Sequence, residues 1–320
     1  MIVRSLLEDG LLRVEVHPRL LSALARWLPL VPPDTPAAPG GAAIRIFPVD
    51  DGVPAPARPD GPRTLRLGVV DAWIESDRAL LLGPSGMHGL VRLAEGAAEL
   101  RAPADGAEPD AVAWDLYSAC TVSCALLLGR LGRALVHAAA VAPPGAPAWL
   151  LVGDTHAGKT TTSANLLRAG WSYLSDDHVV LGRDADGGIT VEGLPRPFHL
   201  DEGWEAGEVV RRRGSTDPRA RWPGRWRRTA PLAGLLFPRV EADAPTALGP
   251  FAAADALAAL LRQSPWLLAD RGCAPAVLDL LRATALLPTH ALRLGRDTYA
   301  DPARLAGVMG RLGDAAGAAS

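Results

Sequence analysis

Lysine is almost missing from this sequence of 320 residues. Lysine and arginine together number 33, and the one lysine among them is Lys159. This bias toward arginine, with 29 prolines and 33 glycines, indicates a GC-rich bacterial genome rather than a function. The retained lysine is informative, because a compact ammonium can enter a crowded phosphate site where a planar guanidinium cannot.

Cysteine and net charge are also low. The three cysteines, Cys120, Cys124 and Cys273, cannot all pair and lack the spacing of a zinc site. Cys120 and Cys124 lie four residues apart in an apolar stretch, which predicts small core residues of a helix. A net charge of −2 argues against a dedicated nucleic-acid-binding protein.

A signal peptide and a membrane span are also not expected. The N-terminus is acidic by its eighth residue and lacks an apolar signal core. The most apolar stretch, around Ala119–Leu128, contains Thr, Ser and Cys and is too short to cross a bilayer. We therefore expect a cytoplasmic protein with no nucleic-acid or membrane partner, and leave open whether it forms a homo-oligomer.

A polar, proline-containing stretch at Ala102–Asp110 is the best candidate for a domain boundary. Before it, alternating apolar and polar residues predict strands, as at 43–47, and helical spacing predicts a helix over Pro18–Leu30. After it, a long buried helix is followed by alternating strands and helices. The sequence thus predicts a strand-rich α+β module over residues 1–105 and an α/β domain over residues 111–320.

Lys159 belongs to a segment, Gly153 to Thr160, that fits the phosphate-loop (P-loop) pattern G-x-x-x-x-G-K-[ST]. A predicted buried strand precedes the loop and a predicted helix follows it, so backbone N–H groups and the helix dipole would face an anion. Lys159 would neutralise the β- and γ-phosphates, and the Thr160 hydroxyl would bind Mg²⁺. We expect ATP and Mg²⁺ as cofactors, with nucleotide contacts from Gly153, Asp154, Thr155, His156, Ala157, Gly158, Lys159, Thr160 and Thr161.

Two adjacent carboxylates, Asp176 and Asp177, follow one helix and one short strand after Lys159. On their own they are typical of a solvated turn. At the carboxyl end of a strand in an open α/β sheet, however, they would face the same crevice as the P-loop. Phosphoryl transfer uses one carboxylate to hold Mg²⁺ and another to orient or deprotonate the acceptor, and two neighbours beside a metal can divide these tasks.

These motifs together resemble the HPr kinase/phosphorylase family. The match comprises His137 in Leu135-Val136-His137-Ala138, the P-loop, and the pair Asp176-Asp177 at the offset found in that family. Segments 193–198 and 231–238 also resemble its smaller relatives, so that the resemblance covers roughly residues 130–310.

The resemblance implies a phosphoenolpyruvate-carboxykinase-like nucleotide-binding fold and ATP-dependent phosphorylation of serine. It would make Asp177 the base that faces the acceptor, Asp176 a carboxylate that binds the metal or supports a residue that does, and His137 a residue that supports the site. The alternative for His137 is a buried histidine of the core. The bifunctional members of the family carry an acidic residue immediately after the P-loop Ser/Thr, whereas this chain has Thr161 there. The first hundred residues also do not resemble the N-terminal domain of those members. The layout is closer to HPr-kinase-like proteins of modified-peptide biosynthesis, such as lasso-peptide kinases.

Arginines supply the candidate substrate contacts. The Arg-rich segment, residues 211–228, carries eight arginines against one aspartate and is interleaved with tryptophans, which suits an acidic peptide or phosphates; a solvated loop is the alternative. Arg196 and one of Arg227 or Arg228 border predicted strands and are candidates for stabilising transition-state charge. The substrate candidates are Arg196, Arg211, Arg212, Arg213, Arg227 and Arg228. We expect the His156 side chain to point outward and His178 to face away from the aspartates, because strand neighbours alternate.

The function predicted from the sequence is a P-loop kinase that moves the γ-phosphate of ATP to a serine hydroxyl of a peptide or protein. Two alternatives stay open. One is a regulatory ATPase or nucleotide-dependent binding protein, and the other is a kinase for a small-molecule hydroxyl.

Overall fold

The computed structural model describes residues 1–25, 38–49, 55–194, 196–201, 204 and 213–317. The chain divides into two compact units. Unit 1 comprises Met1–Leu135 and Ser264–Leu280, and unit 2 comprises Val136–Gln263 and Leu281–Ser320. The predicted boundary at 102–110 does not coincide with this division, because the long helix that follows it packs on the strands of unit 1.

Unit 1 is built on an eight-stranded sheet, and its first 135 residues contribute the following elements: β1 (Ile2–Ser5), β2 (Leu12–Val16), α1 (Pro18–Ala25), β3 (Ala42–Pro48), β4 (Leu65–Leu67), β5 (Val70–Ile74), β6 (Arg78–Leu82), β7 (His88–Arg92), β8 (Ala97–Ala102) and α2 (Pro109–Arg130). The strand order is β1-β2-β3-β8-β7-β6-β5-β4. The β2–β3 and β3–β8 pairs are parallel and the others antiparallel. The first 105 residues are rich in strands, as predicted, and unit 1 adds to them the helices α2 and α6 (Trp266–Ala269) and the first part of α7 (Ala274–Ala285).

Helix α2 is long and apolar enough to cross a membrane, but 89% of its most apolar window is buried inside the protein. It begins where the Glu108 carboxylate accepts a hydrogen bond from the Ala111 N–H, and Pro109 occupies its first turn. Cys120 and Cys124 are buried within it, as their spacing predicts, and burial raises the pKa of both thiols. Burial of α2 to this extent is typical of a helix in the core of a globular unit.

The rest of the chain contributes β9 (Ala134–Val136), β10 (Ala138–Ala142), β11 (Ala148–Val152), α3 (Lys159–Arg168), β12 (Ser172–Ser175), β13 (Val179–Arg183), β14 (Ile189–Gly193), β15 (Phe198–Asp201), β16 (Arg213–Thr216), α4 (Pro218–Arg221), β17 (Thr229–Val240), β18 (Ala247–Pro250), α5 (Ala253–Arg262), α6 (Trp266–Ala269), α7 (Ala274–Ala285), β19 (Thr289–Leu294), α8 (Asp297–Ala300) and α9 (Pro302–Gly317). Two of the three boundaries between the units fall within β9 and α7, and the third lies between Gln263 and Ser264, after α5.

Unit 2 is a mixed sheet with helices, as the α/β prediction requires. Its order runs β12-β10-β11-β17-β14-β13, and β19 pairs with the last part of β17 and with β18. Strands β11, β17 and β19 are parallel neighbours. A core of apolar and aromatic side chains, including Trp149, Trp171, Tyr173 and Phe198, joins this sheet to α3 and α9.

Candidate functional site

The topology of unit 2 brings three separate sequence motifs to one edge of its sheet. Strand β10 is antiparallel to both β11 and β12, so the carboxyl ends of β11 and β12 meet where β10 begins. Ala138 pairs with Val152 at that edge. His137, the P-loop and Asp176-Asp177 flank these strand ends, which is the arrangement that the sequence predicts for the loop and the aspartates.

The loop turns sharply before α3 begins at Lys159. Gly158 has φ of 99° and His156 has φ of 68°, a left-handed conformation that is uncommon outside glycine. The Ala157 N–H donates to the Asp154 carbonyl at 3.1 Å, and the Thr162 N–H donates to the Gly158 carbonyl at 2.9 Å. His156 is exposed, as expected. Consecutive turns of this kind ahead of a helix are typical of anion-binding backbone.

Lys159 is buried against the loop that precedes it. Its Nζ donates to the Gly153 carbonyl at 2.7 Å and to the Asp154 carbonyl at 3.1 Å, and the residue is only 7% exposed. Burial lowers the pKa of this ammonium, while Asp176, Asp177 and Asp154 oppose that shift. The cation is thus held at the mouth of the loop among carboxylates.

Asp176 lies beside the start of helix α3. The Thr160 hydroxyl donates to its Oδ2 at 2.9 Å, and Asp176 is 9% exposed. Its other oxygen, Oδ1, is buried and has no hydrogen-bond partner among the described residues. Burial raises the pKa of this carboxyl to about 7, although the Thr160 hydrogen bond opposes the shift. A buried carboxylate with one unsatisfied oxygen is costly unless a cation or donor binds it.

The other carboxylate of the pair, Asp177, is surrounded by cationic and imidazole groups. Arg196 forms an ion pair with its Oδ2, and His178 Nδ1 lies 2.5 Å from the same oxygen. His137 Nε2 lies 3.9 Å from Oδ1. Burial alone would raise the pKa of Asp177, but His178, Arg196 and His137 hold it well below its usual range. Asp177 is therefore an anion throughout the neutral pH range.

The position of Arg196 follows from a close approach of two strand ends. A β-carbon on Gly193 would collide with the Leu174 carbonyl, so only glycine lets the end of β14 approach β12. The Ser175 hydroxyl donates to the Leu194 carbonyl at 2.7 Å, and the Leu194 N–H donates to the His178 carbonyl at 3.1 Å. These contacts place Arg196 beside Asp177.

One prediction about the histidines needs correction. His178 does not face away from the aspartates, because residues 176–178 lie between β12 and β13, where strand alternation does not apply. His137 lies in the break between β9 and β10, where its N–H donates to the Gln263 carbonyl at 2.9 Å. Burial lowers the pKa of His137 to about 4, so its imidazole is neutral at neutral pH.

Gln263 was not predicted as a site residue, and no local sequence signal identifies it. Its Nε2 donates to Asp154 Oδ1 at 2.8 Å, while its carbonyl accepts from His137. It lies just after α5, more than a hundred residues from both partners. It links the P-loop to the segment that carries His137.

The other candidate arginines are placed differently. Arg227 Nη1 donates to the Ala146 carbonyl at 2.8 Å, in the turn between β10 and β11. That turn is at the opposite end of β11 from the P-loop, so the structure does not bring the Arg227 guanidinium to the aspartates. Arg228 pairs with Glu192 at 3.0 Å. Arg211 and Arg212 lie outside the described residues, and only the backbone of Arg213 is described, in β16.

Comparison with known proteins gives little support for a family. No protein-family model matches the sequence, and no curated protein matches it. Among solved structures, the HPr(Ser) kinase/phosphatase from Coxiella burnetii is similar at 13% identity with a TM-score of 0.27. The similarity covers 35% of this chain and 62% of that one, less than two thirds of its length. At this TM-score the likeness carries no argument about fold or activity.

Burial of Asp176 has a consequence for stability. The pKa near 7 in the folded protein exceeds that of an unfolded aspartate, about 4, so the folded state keeps its proton to higher pH. Folding stability should therefore fall as the pH rises through this window. Without nucleotide, Asp176→Asn is expected to stabilise the protein, by at most about 4 kcal/mol at pH 8 and by less at pH 5.

Urea unfolding of the wild-type and Asp176→Asn proteins at both pH values measures this difference. Asp186→Asn, in the exposed turn between β13 and β14, is the control and is expected to change little. A stabilisation of equal size at both pH values would contradict the assignment of the titration to Asp176.

Proposed function

We propose that this protein is an ATP-dependent kinase that transfers the γ-phosphate to a serine hydroxyl of a peptide or protein. The observation that carries the proposal is the 2.9 Å hydrogen bond between Thr160 and Asp176, with Asp177 next in the chain. It joins the P-loop to a carboxylate pair, and this combination serves phosphoryl transfer. A solvated turn would not bury Asp176 and largely cover Asp177 beside the only lysine of the sequence.

The P-loop would hold the triphosphate. Backbone N–H groups of the turn and the positive end of the α3 dipole favour an anion at this position. Lys159 supplies a mobile point charge, since its present partners are two loop carbonyls that a phosphate oxygen can replace. The lowered pKa of Lys159 reflects burial, and bound phosphate would favour the charged form.

The oxygen atoms beside the loop fit Mg²⁺. Thr160 and Asp176 would hold the ion, because a hydroxyl and an unsatisfied carboxylate oxygen are suitable hard ligands. The described residues contain no cluster of three or more metal-binding side chains, but Mg²⁺ needs only one or two protein ligands when phosphates and water complete its shell. When bound, the ion would neutralise charge on the phosphate oxygens.

In the transfer step, the acceptor oxygen forms a bond to the γ-phosphorus, and the bond to the β–γ bridging oxygen breaks. ADP leaves with that electron pair, and the hydroxyl proton passes to the Asp177 carboxylate. The low pKa of Asp177 makes it a weak base, but a loose transition state needs little help with deprotonation and much with orientation. Asp177 would therefore act mainly by accepting a hydrogen bond from the acceptor hydroxyl, and Arg196 and His178 would fix its position.

The proposal is tested by incubating the protein with Mg²⁺, γ-labelled ATP and a mixture of serine-containing peptides. Phosphoserine detected by mass spectrometry, and lost in Lys159→Ala, is the expected result. Release of free phosphate whatever acceptor is offered would favour the regulatory ATPase. Label on the hydroxyl of a small molecule would favour a kinase for small-molecule hydroxyls.

The Arg-rich segment is expected to bind an acidic acceptor rather than the nucleotide. Replacing Arg211, Arg212 and Arg213 together with Gln should raise the apparent KM for an acidic serine peptide about tenfold and leave ATP affinity nearly unchanged. The difference in KM should shrink at high ionic strength, because salt screens the attraction between opposite charges. A loss of ATP affinity would instead assign these arginines to the phosphates.

A further inference from the structure

The last part of the Arg-rich segment lies at the edge of the unit 2 sheet that is opposite the P-loop. Strand β12 is antiparallel to β10 and begins at the edge where β10 ends. The Tyr173 N–H donates to the Arg225 carbonyl at 2.9 Å, and the Arg227 N–H donates to the Tyr173 carbonyl at 3.0 Å. These bonds attach the segment to the first half of β12, whereas the two aspartates of the candidate site follow the end of that strand.

A turn of the same segment packs against the end of helix α3. The Arg225 N–H donates to the Trp222 carbonyl at 3.2 Å, and Arg225 Nη1 donates to the Gly170 carbonyl at 2.5 Å. Gly170 is the second residue after α3, whose last residue is Arg168. A cation is favourable here, because the C-terminal end of a helix dipole is negative. Two arginines from distant parts of the chain are thus held at one end of α3.

Two tryptophan rings support arginines at this end of α3. Arg168 Cζ lies 5.5 Å from the centre of the Trp204 ring, and Arg221 Cζ lies 5.2 Å from the centre of the Trp222 ring. Trp204 belongs to the apolar core of unit 2, and Trp222 packs against that core. Both rings are therefore fixed, while Arg168, Arg221 and Arg225 are exposed to solvent.

The charge at this end of α3 is positive. Asp217, the one acidic residue of the Arg-rich segment, pairs with Arg219 at 3.3 Å. In the described part of the chain, Arg168 donates to Asn165 Oδ1 at 3.3 Å, and Arg225 donates to the backbone carbonyl that follows α3. Both of these acceptors are uncharged, so the two guanidinium groups keep their full attraction for a carboxylate.

We infer that the far end of α3 binds an acidic segment of the acceptor peptide, several residues away from the serine that receives the phosphate. The surface, here called the α3-end surface, comprises Arg168, Arg221, Arg225, Trp204 and Trp222. Exposed guanidinium groups fixed on aromatic rings suit the carboxylates of such a segment. The surface lies at the opposite end of α3 from the P-loop, so an acidic segment bound there would not compete with the triphosphate.

The inference rests on the proposed function and adds a spacing to it. Helix α3 rises about 14 Å from Lys159 to Arg168. An extended peptide covers about 3.3 Å per residue. With its serine at Asp177, the acceptor therefore needs at least about four residues between the serine and the acidic segment.

Serine peptides of equal composition test this spacing. Each has one serine and a block of four glutamates, separated by either one or six residues, and each is made with the block before and after the serine. In at least one order, the wild-type protein should have a lower apparent KM for the six-residue spacing. Arg168→Gln/Arg225→Gln should raise that KM about five- to tenfold, and should change the KM for the one-residue spacing and for ATP by less than about twofold.

Arg183→Gln/Arg282→Gln is the matched control, because it removes two exposed arginines elsewhere in unit 2 and should leave every KM unchanged. An equal increase in KM for both spacings, or no increase at the longer one, would overturn the inference and leave the proposed kinase intact. If the double variant does not fold, Arg168→Gln, which changes one exposed side chain, is measured in the same way.

A binding measurement separates failure of the surface from failure of the proposed function. If the wild-type protein phosphorylated none of the peptides, fluorescence anisotropy would follow binding of the fluorescein-labelled peptide with the six-residue spacing. Weaker binding by Arg168→Gln/Arg225→Gln than by the control variant would support an acidic-peptide surface while the kinase proposal fails. Equal binding by the two variants would reject the surface as well.

Discussion

Lys159→Arg is expected to lose Mg-ATP almost as completely as Lys159→Ala, although every other Lys or Arg position of the chain is arginine. Lys159 is 7% exposed, and its Nζ fits between two loop carbonyls at 2.7 and 3.1 Å. A planar guanidinium is wider than this space and cannot reach between β- and γ-phosphates held by backbone amides. The loss of a charged hydrogen bond to phosphate predicts affinity lower by about 10- to 100-fold.

Titration of Mg-ATP into both variants measures the effect. Arg183→Lys, at the exposed end of β13, is the reciprocal control and should bind like wild type. Tight ATP binding by Lys159→Arg would show that charge alone is needed at this position, and the unusual lysine would lose its significance.

The loop and the elements beside it could be predicted because their signals are local. The apolar run before Gly153 forms β11, the helix begins at Lys159, and the Asp pair follows β12. Each of these elements is predicted from residues within the element itself. Their meeting at one site follows from the rule that strands running in the same direction end at the same edge of a sheet. The hydrogen bond between Thr160 and Asp176 is the consequence of that rule.

Contacts between distant segments could not be predicted in the same way. Gln263 reaches Asp154 only because the end of α5 lies beside the P-loop, and nothing near either residue encodes this. Arg227 borders a strand like Arg196, but its side chain extends to the β10–β11 turn. Sequence spacing does not determine which way a long side chain points, so two similar arginines have different surroundings.

The predicted domain boundary illustrates a related limit. The polar stretch at 102–110 contains the loop between β8 and α2, but α2 belongs to unit 1, together with a segment from 264–280. Proline and polar residues mark where an element ends. They do not determine with which sheet the next helix packs, because that depends on apolar surfaces formed by distant parts of the chain.

Asp177→Asn is expected to lower the rate of phosphate transfer by roughly 10²- to 10⁴-fold and to leave Mg-ATP affinity nearly unchanged. The carboxylate carries its negative charge at neutral pH because His178 and Arg196 hold its pKa low despite burial. Asparagine keeps the size but cannot accept the proton, and it binds the acceptor hydroxyl more weakly. It also leaves Arg196 and His178 without their anionic partner, so the acceptor would be positioned less well.

Asp176→Asn serves as the contrasting variant, because the two aspartates are adjacent but have different partners. Asp176 accepts a hydrogen bond from Thr160, and its Oδ1 has no hydrogen-bond partner among the described residues. Because this oxygen would bind Mg²⁺, Asp176→Asn should weaken Mg-ATP binding. Phosphate incorporation into a serine peptide and ATP affinity, measured for both variants, separate the two roles. If Asp177→Asn transferred phosphate at the wild-type rate, Asp177 would not be the acceptor-side residue. If both variants lost ATP affinity equally, the pair would act only in metal binding, which is the chemistry expected of the regulatory ATPase.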